Sequence, residues 1–116
     1  MEEICMLFNM PYAKEVIIKN MTGEVLKDFY LIYEGLEKHP YKISTIAPNR
    51  QQIVNLVLMY LTGPTKLRLL YCKNGEEKDI VVYENLRKDD LKTLILTINM
   101  DGDNIKVDTV IQESNK

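Results

Sequence analysis

The chain has no tryptophan, two cysteines, one histidine and no marked excess of either charge: 15 Lys and Arg stand against 17 Asp and Glu. Each scarcity removes a class of function. The basic residues are spread along the chain rather than gathered into a block, so the electrostatic footprint of a nucleic-acid binder is missing. Cys5 and Cys72 share no ligand spacing, and with His39 they supply only three candidate ligands scattered through the sequence, so no zinc motif is expected. A lone histidine in Lys38-His39-Pro40, with no nucleophile beside it, reads as a loop residue rather than as a general base. The longest apolar run, Ile53–Leu61, is interrupted by Asn55 and is too short to cross a bilayer as a helix. The first residues, Met1-Glu2-Glu3-Ile4, open acidic and lack the features of a secretory signal. The expectation is a cytoplasmic protein with reduced thiols, no cofactor, and no nucleic-acid or membrane partner.

What is present is rhythm. Short apolar runs follow one another from Lys14 to Gln112, and turn signals fall between them: Asn20-x-x-Gly23, Gly63-Pro64, Asn74-Gly75 and Asp101-Gly102. Phe29, Leu31 and Tyr33 alternate with Tyr30 and Ile32, and Leu67, Leu69 and Tyr71 alternate with Arg68, Leu70 and Cys72. Leu94, Leu96, Ile98 and Met100 form one face of a strand. After the turn at Asp101-Gly102-Asp103-Asn104, Ile105, Val107, Thr109 and Ile111 form one face of its return. Asn74-Gly75 is the strongest short hairpin signal, although the polar Glu76-Glu77-Lys78 leaves room for a longer loop.

Two segments fit both periods. Ile53, Leu56, Val57 and Tyr60 satisfy a helix that Asn49 would cap, while Val54, Leu56, Leu58 and Tyr60 satisfy a strand. Leu26, Phe29, Tyr30 and Tyr33 give the same ambiguity. The strand reading is preferred in both, because β-branched and aromatic residues surround them. The chain is therefore expected to be all-β, a sandwich of seven to nine strands, with α+β and one helix near 51–61 as the alternative. Residues 1–12 are expected as an N-terminal arm or edge strand, 13–112 as a single domain, and 113–116 as a flexible tail.

The stretch Asn20-x-Thr22-Gly23, Phe29-x-Leu31-x-Tyr33 and Ile43-x-x-Ile46-x-Pro48-Asn49, with the apolar run after it, resembles immunoglobulin-like modules of the fibronectin-III type. The resemblance covers about residues 14–72 and implies a Greek-key sandwich with a proline before a strand that crosses the core. It carries over no functional residue.

Other chemistry-bearing patterns resolve to turns. Counted from Asp101, a calcium loop would need glycine at its sixth position and glutamate at its twelfth. The chain has Lys106 and Gln112 there. Asn20-Met21-Thr22 fits a glycosylation sequon but needs a secretory route. Seven tyrosines are the compositional oddity, since tyrosine suits both small cores and interfaces. Tyr30, Ile32, Leu70 and Cys72 lie on the faces opposite the apolar sets of their strands. If those strands are neighbours, the four residues form an exposed patch suited to a partner, unless the segment Ile4–Phe8 covers it. The expected function is a non-enzymatic interaction or assembly module, self-association included, acting through a sheet face or an edge strand. The alternatives are a small-ligand or carbohydrate binder using tyrosines and, behind it, a small enzyme.

Overall fold

The computed structural model describes residues 13–36, 38–59 and 61–112. The arm at 1–12, the tail at 113–116, Tyr60 and any cover supplied by Ile4–Phe8 lie outside the described residues. Eight strands run in order: β1 Ala13–Asn20, β2 Phe29–Ile32, β3 Tyr41–Ile43, β4 Gln51–Val57, β5 Thr65–Lys73, β6 Glu76–Leu86, β7 Thr93–Asp101 and β8 Asn104–Gln112. They form two four-stranded sheets, β4-β1-β7-β8 and β3-β2-β5-β6, and the described residues contain no helix. The segment that could have been helical is β4, because pairing with β1 along its whole length gives Val54 and Leu56 a core to face while Ile53 and Asn55 face outward.

The core lies between the sheets and follows the alternation closely. Val16 and Ile18 meet Leu94, Leu96 and Ile98 from the first sheet, opposite Leu31, Leu67 and Leu69 from the second, and all are shut off from solvent. Phe29 and Tyr71 stack across the second sheet with ring centroids 5.0 Å apart and planes 6° from parallel. Met100 departs from its expected inward place and is exposed, beside the turn of the β7–β8 hairpin at the end of the sandwich.

The chain changes sheet four times, after β1, β3, β4 and β6, and keeps β2–β3, β5–β6 and β7–β8 as hairpins. Within the first sheet β1 runs parallel to β7 and antiparallel to β4. One seam is joined by the Thr109 hydroxyl of β8, which donates to the Val82 carbonyl of β6 at 2.6 Å. The other is joined by the Leu26–Ile46 bridge and by the Tyr33 hydroxyl, which donates to the Val57 carbonyl at 3.0 Å. Burial raises the Tyr33 phenol above its ordinary pKa, and the Val57 hydrogen bond offsets part of that rise.

The β5–β6 turn is the two-residue form: Asn74 and Gly75 both take positive φ, at 53° and 80°, and β6 starts at Glu76, so the polar residues after the turn belong to the strand. A Cβ at Gly75 would meet nothing within 4 Å, so the cost of a side chain there is purely conformational. Gly75→Ala is expected to lower stability by about 1 kcal/mol, read as a shift of the urea midpoint with an unchanged slope.

Further along the same pair, Leu67 pairs with Tyr83 and Arg68 with Val81, which leaves Val82 as an extra residue. That irregularity lets Ile80 and Tyr83, three residues apart, both pack against the core. It also aims Tyr83 at the β6–β7 crossing.

Candidate interaction surfaces

The inward face of β1 is apolar in its middle and polar at both ends. Lys14, Val16, Ile18 and Asn20 all have 0% exposure, so two polar side chains cap the core. At one end the Lys14 ammonium donates to the carbonyl of Asp90 at 2.8 Å and to that of Lys92 at 2.5 Å. It also lies 3.6 Å from the Asp90 carboxylate and 5.6 Å above the Tyr83 ring. Tyr83 donates its hydroxyl to Asp90 at 3.0 Å.

Burial pulls the Lys14 ammonium below its ordinary pKa, and Asp90 opposes that pull. For Asp90 burial pushes upward, but hydrogen bonds from Tyr83 and the Lys92 N–H, with the Lys14 charge, outweigh it and leave the carboxyl below its ordinary value. Burial, and then donation to Asp90, raises the Tyr83 phenol. The cluster ties the β6–β7 crossing to β1.

At the other end Asn20, expected in a loop, is the last residue of β1. Its amide donates to the carbonyls of Glu24 at 2.6 Å, Ile46 at 3.0 Å and Ala47 at 3.2 Å. Its side-chain oxygen accepts from the Thr22 N–H at 3.0 Å and the Thr22 hydroxyl at 2.7 Å. One side chain thereby holds the β1–β2 and β3–β4 connections together.

The expected quartet falls on the outer face of the second sheet. Tyr30 and Leu70 are direct cross-strand partners and half-buried. Ile32 pairs with Arg68 and is only 6% exposed, although it lies outside the core cluster, so it offers little surface. Cys72 is an exposed free thiol opposite Glu77. Charges interrupt this face: Arg68 bonds Asp79 at 2.5 Å, and Lys42, the β3 partner of Tyr30, lies 3.6 Å from Asp28. His39 is exposed in the β2–β3 connection, and among the described residues no three His, Cys, Asp or Glu side chains gather as a metal site.

The more continuous apolar surface is on the other sheet. Ile17 pairs with Ile53 on one side and with Ile95 on the other, and Ile95 pairs with Val110. These residues cross the outer face of all four strands in a single row. Ile53 and Val110 are 47% and 55% exposed, and the central pair is half-buried. A polar row borders each side. One holds Asn55 and Glu15, whose carboxylate accepts from the Thr93 hydroxyl at 3.3 Å, and continues to Gln112. The other is Gln51, Lys19, Thr97 and Asp108. Each isoleucine is visible in the sequence as an apolar residue in an outward position, but the row exists only through the register of three strand pairs.

The grooves are shallow. One of about 210 Å³ at the end of the sandwich is lined by Thr22, Val25, Phe29, Tyr71, Met100 and Ile105. The stacked rings among its lining are 7% and 6% exposed, so they offer little surface for a ligand to stack on. No protein-family model, curated protein or solved structure matches the chain.

Proposed function

We propose that this chain is a non-enzymatic assembly module that docks through the outer face of the β4-β1-β7-β8 sheet. The observation that carries this reading is the row Ile53–Ile17–Ile95–Val110, an apolar band across four strands between two polar rows. Outward positions of a solvated antiparallel or mixed sheet are ordinarily polar, and an apolar band with a polar rim has the composition of a docking surface. The quartet on the second sheet supports such a role less well, since Ile32 is covered and ion pairs cross the face. An immunoglobulin-like Greek-key arrangement belongs to the same proposal. Its support is the passage from β3 to β4 through Ile46, Ala47 and Pro48, where the chain leaves one sheet for the other.

Ile17→Thr with Ile95→Thr keeps β-branched side chains in both central strands while removing the apolar band. The expected result is a folded variant that loses the proteins, further copies of this chain included, that the unaltered chain retains as an immobilised bait. Equal retention by both baits, or retention of nothing by either, would overturn the reading.

A further inference from the structure

We infer that the occupant of this face is a second copy of the same chain, related by a two-fold axis lying along the isoleucine row. The inference rests on the docking-face reading above and adds the partner and its orientation. On β1 the charged residues flank Ile17 symmetrically, with Glu15 in one bordering row and Lys19 in the other. A face-to-face two-fold along the row lays each row residue on its own counterpart and exchanges the two borders. Lys19 of one copy then stands over Glu15 of the other, twice by symmetry, with Thr97 over Thr93, Gln51 over Asn55 and Asp108 over Gln112. No like charges meet. An axis at right angles to the row would set Lys19 over Thr97 and Glu15 over Thr93, and the charges would find no partners. The pattern is thus self-complementary in one orientation, as an isologous interface requires.

Size sets the strength. Four strands spaced about 4.8 Å apart and about eight residues long at about 3.3 Å per residue give a footprint of roughly 500 Å² per copy. Roughly 1,000 Å² in total is at the lower end for specific contacts, so the pair is a reversible one with a Kd on the order of tens of micromolar.

The test is sedimentation equilibrium of the full chain, with circular dichroism on every variant to establish folding. The unaltered chain is expected to dimerise in that concentration range. Lys19→Glu brings carboxylates together at both symmetric contacts and is expected to weaken the dimer about tenfold. Adding Glu15→Lys to it exchanges the charges and is expected to restore the dimer. A chain that stays monomeric up to about 1 mM would overturn self-pairing while leaving a docking face for another protein, which the bait comparison detects separately. A double variant no stronger than Lys19→Glu alone would overturn the axis. A dimer that survives Ile17→Thr with Ile95→Thr would place the contact elsewhere and overturn the inference outright.

Discussion

Replacing Asn20 with alanine is expected to lower stability by about 3 kcal/mol, or about 15 °C in melting temperature for a domain of this size. The side chain is fully buried and makes five hydrogen bonds to two connections. Each of the carbonyls it serves still finds a donor without it: the Thr22 hydroxyl, released from Asn20, for Glu24, the Leu26 N–H for Ile46, and the Arg50 N–H for Ala47. The loss is therefore that of second lone pairs and of the acceptor for the Thr22 N–H, which holds the figure below the sum of five bonds. Asn20→Asp separates the two halves of the amide's role. A carboxylate still accepts from Thr22 but faces three carbonyl oxygens, so at neutral pH it is expected to be at least as harmful as alanine. It should recover in part as pH falls toward about 4, because burial against carbonyl oxygens raises that carboxyl's pKa and the protonated form donates again. Asn55→Ala, at an exposed outward position of β4, is the control and is expected to stay within about 0.5 kcal/mol of the unaltered chain. Urea denaturation of the three variants reads all of this. Equal stability of Asn20→Ala and Asn55→Ala would remove Asn20 from its place as a core cap.

The sequence made the strands visible because their alternation is local. Phe29, Leu31, Leu67 and Leu69 face the core as period two requires. Asn74-Gly75 makes the tight turn that its two positive φ values demand. What was hidden is set by partners distant in the chain. Nothing local to Ala13–Asn20 says that it runs parallel to Thr93–Asp101, and without that pairing Ile17, Ile53, Ile95 and Val110 are four separate outward residues. Lys14 and Asn20 share the phase of Val16 and Ile18, so period two does place them inside. Their polarity argued against that, and only the carbonyls of the β6–β7, β1–β2 and β3–β4 connections make the placement tolerable. The quartet was legible as neighbours, since Tyr30 does pair with Leu70. The exposure of each member depended on Arg68 and on covering that no strand pattern encodes.

Lys14→Met is expected to cost about 3 kcal/mol even though methionine fills a similar volume. The carbonyls of Asp90 and Lys92 lose a charged donor at the mouth of the core, and the β6–β7 crossing loses its tie to β1. Lys14→Ala adds an unfilled space and is expected to cost about 2 kcal/mol more. The pH dependence distinguishes a charge cluster from mere packing. Asp90 is held below its ordinary pKa in the folded state, so its contribution is present above the unfolded value near 3.8 and is lost as pH falls through the folded one. Tyr83 is raised, so its contribution is present below its ordinary value near 10 and is lost as pH climbs past it. Lys14 is lowered, so between its folded value and 10.5 the unfolded chain holds the extra proton, and this group alone makes stability rise with pH across that window. Lys14→Met removes both that alkaline rise and the ammonium that helps keep Asp90 ionised. Urea midpoints measured from pH 3 to 10 should then fall less steeply toward acid in the variant than in the unaltered chain. In a double-mutant cycle with Asp90→Asn, the two substitutions should cost less together than the sum of their separate effects, by about 1 kcal/mol. Parallel pH profiles and strict additivity would mean that Lys14 acts only through its two backbone carbonyls.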